Sequence, residues 1–169
     1  LLQDEKVLSD AAQRNHYLDL IDKNTDRLYS LVLDVVDSSR LSLGKLKLSV
    51  EDVDTNRIFL DIKENMSMNI SSKGLVSEFF IESNIPFIRV DYERTMQVLR
   101  NLISNSLKFT ASGKISLRVY RDGNFVKFEV KDTGQGIPKE NFSSIFSRFY
   151  QVDSTNTRKV GGSGLGLSI

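Results

Sequence analysis

The sequence predicts an α+β fold, a two-layer sandwich of helices on a sheet, preceded by one long helix that belongs to a dimeric four-helix bundle. Three observations carry that expectation. Neither Gly nor Pro interrupts the chain between Ser9 and Gly44, a span in which apolar residues recur in alternating steps of three and four. Directly after Gly44 the apolar period drops to two, the signature of a strand. From there on, segments of helical and strand period follow one another, with strands that read as antiparallel, which is the pattern of helices stacked on one sheet.

The first helix has Ser9 and Asp10 as a capping pair and ends where Gly44 can take a left-handed cap, with Arg40 and Lys45 near the negative pole. Leu18, Ile21, Thr25, Leu28, Val32, Val35 and Ser39 form a heptad seam, which Tyr29, Leu31 and Val36 widen. A face that wide suits a four-helix bundle better than a two-stranded coil. A helix packed only on its own domain is the alternative, but at roughly 50 Å this one outreaches the small domain that follows. The chain thus divides into a helical region, residues 1–44, and a second domain, residues 45–169.

That second domain opens with a strand over Leu46, Leu48 and Val50. Ile58, Phe59, Ile62, Met66 and Ile70 then predict a helix running to Lys73 and Gly74. Strands follow at residues 75–81 and 87–90, on either side of Asn84 and Pro86. A helix capped by Asp91 spans residues 92–109. Residues 114–120 and 125–131 form a hairpin across Arg121, Asp122, Gly123 and Asn124. Beyond Thr133 the chain is rich in Gly and Ser, with one short helical piece at residues 141–149.

Composition removes several function classes. With no Cys and a single His in 169 residues, disulfides, thiolate metal sites, iron-sulfur clusters and multi-His centres are excluded. The net charge of +1 gives no field that would draw nucleic acid. No apolar run approaches the ~18 residues of a membrane span, so no membrane contact is expected from this segment and a cytoplasmic location is.

Three features carry chemistry. On the helix after Asp91, Arg94, Asn101, Asn105 and Lys108 share one face, opposite Met96, Leu99, Ile103 and Leu107. Asn is a poor helix former, so two of them four residues apart point to amides wanted as such, either as hard oxygen ligands for Mg²⁺ or as part of a solvated face. Next, Asp132-Thr133-Gly134-Gln135-Gly136-Ile137-Pro138 ends a strand. An ionised Asp accepts hydrogen bonds and donates none, so it would select the amino group of adenine; a plain turn is the alternative. Last, four Gly lie among residues 161–166, interleaved with Ser163 and Leu165 and opening into an apolar segment at Leu167. Their N–H groups can form an anion nest, or the stretch is a flexible linker.

These elements, in this order, resemble sensor histidine kinases. Residues 100–110 (RNLISNSLKFT), 132–137 (DTGQGI), 146–153 (FSRFYQVD) and 161–169 (GGSGLGLSI) are similar to the family's N box, first glycine box, F box and second glycine box. Residues 17–48 look like the second helix of its dimerisation and phosphotransfer domain. The resemblance implies the ATPase-type sandwich, with Asp132 on the adenine amino group and Gly134, Gly136 and Ile137 around the base. It implies Asn105 as the Mg²⁺ ligand, Asn101 and Lys108 facing the triphosphate, and Gly162, Ser163, Gly164, Leu165 and Gly166 lining the phosphates. Arg148 would approach the γ-phosphate, and residues 153–160 would form a lid over the ATP.

The implied activity is transfer of the γ-phosphate of ATP to a histidine and thence to a response-regulator aspartate, in a homodimer held by the helical bundle. The implied partner is a receiver domain. The family's phosphoacceptor motif does not occur in this sequence, since His16 sits in Asn15-His16-Tyr17-Leu18 off the seam. The chain therefore reads as a fragment that does not phosphorylate itself, incomplete on both sides. Two alternatives stay open: a superfamily ATPase that uses hydrolysis for conformational change, and a degenerate kinase acting as a dimeric scaffold. Asn101 weighs against the first, because its amide cannot take a proton from water.

Overall fold

The computed structural model describes residues 11–152 and 164–168. The chain divides into two compact units, Leu1–Lys45 and Leu46–Ile169. The first holds helix α1 (Ala11–Ser42), whose 32 residues make a rod about 48 Å long. Its end is closed as the sequence predicts: Gly44 has φ +61°, its N–H reaches the Leu41 carbonyl, and the Lys45 N–H reaches that of Arg40 at 2.9 Å. These two bonds are the paired closure of a Schellman motif. The capping residues Ser9 and Asp10 lie outside the described residues. Among the seam residues Leu18, Ile21, Leu28, Val32 and Val35 are exposed.

The second unit is built on two sheets. Strands β1 (Glu51–Val53) and β3 (Ile88–Val90) pair antiparallel, and β2 (Val76–Ile81), β4 (Lys114–Asp122) and β5 (Phe125–Asp132) form a three-stranded sheet in the order β2-β4-β5. Helices α2 (Thr55–Ser72) and α3 (Tyr92–Phe109) supply the other layer. Ile115, Leu117 and Val119 of β4 alternate inward and meet Ile58, Phe59, Ile62 and Ile70 of α2 and Met96, Leu99 and Ile103 of α3 in one buried core. The α+β expectation holds.

Four local expectations are corrected. Residues 46–50 are not a strand: Leu48 and Val50 are exposed, and β1 begins only at Glu51 opposite Val90. A strand reaching further back would need a partner beyond Val90, but there the chain turns into α3. The Ser49 N–H instead binds the cap carboxylate of Asp91 at 2.8 Å. The main sheet is mixed, since β2 and β4 run parallel, as a connection through α3 permits. The hairpin is tighter than expected, because Arg121 and Asp122 continue β4 in register with Val126 and Phe125. Only Gly123 and Asn124 remain as the turn, and an ion pair from Lys127 to Asp122 clamps it. Finally, residues 141–149 are not a helix. A 3₁₀ turn, Lys139–Asn141, leads into successive turns, because Phe142 and Phe146 stay exposed and a helix here has no apolar face to bury.

The α3 cap carries a pH dependence. Asp91 accepts from the Arg94 N–H at 3.1 Å and from the Ser49 N–H at 2.8 Å. Those bonds, Arg94 first and Ser49 second, hold its pKa below the ordinary 3.8. The folded state therefore binds that proton less readily than the unfolded chain. The cap's contribution is fully present above the unfolded value and is lost as pH falls through the lowered folded value. Urea midpoints of the protein and of Asp91→Asn should stand apart at neutral pH and converge in acid below about pH 4. A gap that does not narrow would refute the assignment.

Candidate active site

Helix α3 is the spine of the site. Asp91 starts it, and Met96, Leu99 and Ile103 bind it to the sheet by burial, so its other face is held outward with Asn101, Asn105 and Lys108 half-buried. Strand β5 runs beside it and ends at Asp132. The turn after the strand folds back over the C-terminal end of α3, where the Gln135 N–H approaches the Phe109 carbonyl at 3.4 Å.

Asp132 is exposed, and donors from two different elements bind its carboxylate. Oδ1 accepts from the Gly134 N–H at 2.9 Å, and Oδ2 accepts from the Ser106 hydroxyl at 2.9 Å. An ionised carboxylate has about four acceptor sites, so two remain for a ligand. Gly134 is required for a steric reason: a Cβ there would lie 2.6 Å from the Phe109 carbonyl oxygen. Its lack of a side chain lets the turn close onto α3. Substituting Gly134→Ala should push the turn away from the helix, at about 1–3 kcal/mol as for overpacking elsewhere, and should weaken ligand binding through Asp132 while leaving the far hairpin intact. Amide exchange mapped along the chain checks this; unchanged protection at residues 132–136 would contradict it.

The second glycine stretch meets the same helix. Asn101 donates from Nδ2 to the Gly166 carbonyl at 3.1 Å, and Leu165 is buried. Residues 166–168 form a turn, with Ser168 donating from both N–H and hydroxyl to the Leu165 carbonyl. Gly164 lies against the F-box segment: its carbonyl accepts from the Phe149 N–H at 2.9 Å, and a Cβ on it would come within 2.8 Å of the Phe149 backbone. Gly162, Ser163 and residues 153–160 lie outside the described residues.

The expected site residues thus fall into connected groups. Asp132 with Gly134, and Asn101 with Gly166, are each joined by hydrogen bonds, directly or through one helix. Gly136 continues the Asp132 turn with φ +70°, and Ile137 beyond it is exposed. Asn105 and Lys108 share the helix face with Asn101. Arg148 is exposed on the F-box segment. The sequence reading missed Ser106, whose signal was a hydroxyl three residues after Ile103 on the buried side of an amphipathic helix. Thr110, one turn further, is also fully buried, and its hydroxyl has no hydrogen-bond partner among the described residues.

Mg²⁺ requires oxygen ligands, several of which it usually draws from water and substrate phosphates. Among the described residues no cluster of three His, Cys, Asp or Glu side chains forms a metal cage. The half-buried Asn105 offers a neutral amide oxygen. Such a donor set fits a cation that arrives on phosphate oxygens and takes a single protein ligand.

Residues 90–169 match the family described as "Histidine kinase-, DNA gyrase B-, and HSP90-like ATPase". The chain is 38% identical over 162 residues to Hybrid signal transduction histidine kinase L of Dictyostelium discoideum, covering 92% of this chain and 10% of that protein. It is 33% identical over 163 residues to the aerobic respiration control sensor protein ArcB of Escherichia coli K12, covering 94% of this chain and 21% of that protein. Among solved structures, full-length ShkA in complex with AMPPNP aligns with a TM-score of 0.76 and 34% identity, over 94% of this chain and 33% of that one. The chain therefore carries an ATPase domain of the histidine kinase, gyrase and HSP90-like class. Within that class its similarity is to the catalytic domains of histidine kinases. It spans between 9% and 25% of the length of three curated relatives it matches. No described helix is long and apolar enough to cross a membrane.

Proposed function

We propose that this domain binds ATP with Mg²⁺ and presents the γ-phosphate to a histidine of a kinase homodimer, from which the phosphoryl group passes to a response-regulator aspartate. The observation that carries the reading is the doubly held carboxylate of Asp132 beside a helix whose Asn101 holds the second glycine stretch. Base-selecting and phosphate-facing groups are thereby tied by hydrogen bonds to one helix, as a reaction that depends on positioning needs. The relatives' names as histidine kinases, and the AMPPNP in the ShkA structure, support the same reading.

In this assignment Asp132 accepts from the adenine amino group, with Gly134, Gly136 and Ile137 along the base. Asn105 is the protein's ligand to Mg²⁺, which when bound neutralises phosphate charge. Lys108 and the backbone of Gly162, Ser163, Gly164, Leu165 and Gly166 face the triphosphate, and Arg148 meets the γ-phosphate. Asn101 holds the loop and cannot act as a base toward water, so transfer to a side chain is favoured over hydrolysis. Nucleotide chemistry of this kind belongs in the cytoplasm, and helix α1 supplies the dimer contact.

The test is incubation with γ-labelled ATP, with and without a separate helix bearing a histidine kinase phosphoacceptor motif. Label is expected on the added helix alone, with turnover to free phosphate well under ~10 per second. His16 is exposed on α1 beside Tyr17. Acid-labile label on the chain itself, removed by His16→Gln, would overturn this reading, and rapid hydrolysis without transfer would favour an ATPase.

A further inference from the structure

We propose that Ser106 is a positioning residue for nucleobase recognition, setting the Asp132 carboxylate in the one orientation that accepts an exocyclic amino group. The proposal rests on the reading of Asp132 as the adenine acceptor and deepens it. Ser106 stands in the last turn of α3, 6% exposed, on the side that packs toward the sheet. Hydroxyl residues are indifferent helix formers, and one that is buried must find a partner. Its partner is Asp132 Oδ2, 2.9 Å away and 26 residues later in the chain.

The other oxygen, Oδ1, is held at 2.9 Å by the Gly134 N–H, a bond local to the turn. One local bond leaves the carboxylate free to pivot about its own side-chain torsions, and the exposure of Asp132 means that no packing prevents this. The Ser106 hydroxyl adds the second point of attachment, from an element fixed in the core. With one acceptor site of each oxygen occupied, the remaining sites point in defined directions. A ligand amino group then meets an acceptor that need not be ordered on binding.

The placement also links the two ends of the ligand. Ser106 directly follows Asn105, the proposed Mg²⁺ ligand, so consecutive residues on one helix set the base acceptor and the metal ligand. A shift of α3 would carry Ser106 and Asn105 together.

The test compares, by calorimetry on the same chain, ATP with the triphosphate of purine riboside, which lacks the exocyclic amino group. The ratio of their affinities reads the amino-group contact and is insensitive to phosphate or metal effects common to both. Ser106→Ala should reduce this ratio by about 3–10-fold, the range of one hydrogen bond of ordinary strength, with little change for the purine riboside compound. Ser106→Thr, which restores a hydroxyl, should recover much of the ratio, and thermal melts of each variant establish that it is folded. A purely structural role for Ser106 would weaken both ligands equally and leave the ratio unchanged; that result overturns the proposal. Asp132→Asn serves as the reference. If it collapses the ratio while Ser106→Ala does not, the Asp132 reading stands and the Ser106 proposal falls. Should neither variant move the ratio, the adenine assignment itself fails, and the proposal with it.

Discussion

Replacing Asp132 by Asn should abolish most of the affinity for ATP, by at least about 100-fold, the scale of losing a hydrogen bond to a charged acceptor together with the introduction of a facing donor. The variant keeps the size and shape of the side chain, so packing is not the variable. An amide has one oxygen and one NH₂ group. The Gly134 N–H, 2.9 Å from Oδ1, can only donate and will claim the amide oxygen. The NH₂ is then left toward Ser106, whose hydroxyl can rotate to accept, and its second hydrogen faces the adenine amino group. Donor opposes donor at the one position where the base is read. Calorimetry with ATP and Mg²⁺ measures the loss directly, and because the fold is untouched the melting temperature should move little. Equal affinity in the variant would remove Asp132 from the base site.

How much of this was legible in the sequence depends on whether the deciding interaction is local. Helix α3 could be bounded to the residue because its cap, Asp91, binds the N–H of Arg94 three positions on and its apolar face repeats at helical spacing. The same locality made the closure of α1 at Gly44 readable. Where the partner is remote, pattern misleads. Residues 46–50 alternate like a strand, yet a strand exists only where another pairs with it, and opposite them the chain has already entered α3. Arg121 and Asp122 look like turn residues in isolation but pair across to Val126 and Phe125. The parallel pairing of β2 with β4 is invisible to any local rule, since it joins segments separated by a whole helix and a small strand.

The site divides in the same way. Asn101 and Asn105 were singled out because Asn is unusual in mid-helix, and Asp132 and Gly134 because an acceptor-only side chain beside glycines suits a base, although the same residues also suit a plain turn. Ser106 was passed over because a serine in a helix is unremarkable until its partner 26 residues away is seen. The role of Gly134 was legible only in part. Sequence alone attributes its lack of a side chain to close passage of the base, whereas the Phe109 carbonyl, 2.6 Å from where a Cβ would stand, accounts for it within the protein.

The remaining large effect concerns assembly, which we expect to run through α1. Leu18, Ile21, Leu28, Val32 and Val35 follow the heptad spacing, and all five are exposed in the single chain, Leu28 by 62% and Val32 by 53%. An apolar stripe of that length on an exposed helix is a poor surface for a monomer, and its spacing is that of helices that pack along a shared seam. Val32 lies toward the middle of it, flanked one turn to either side by Leu28 and Val35, where a partner helix would exclude water most completely. Val32→Asp would therefore bury a charge without a counter-ion, at about 3–5 kcal/mol for each uncompensated charge. A two-fold interface repeats the change in both copies, so dimers should be lost at any practical concentration. Asn15→Asp, at an exposed position near the start of α1 and outside the seam, adds the same charge without burying it and should leave the dimer intact. Light scattering on the two variants and the unmodified chain separates the effects. If both variants behave alike, the seam is not the contact, and an unmodified chain that stays monomeric at high concentration would show that α1 needs the rest of a four-helix bundle before its apolar face can be covered.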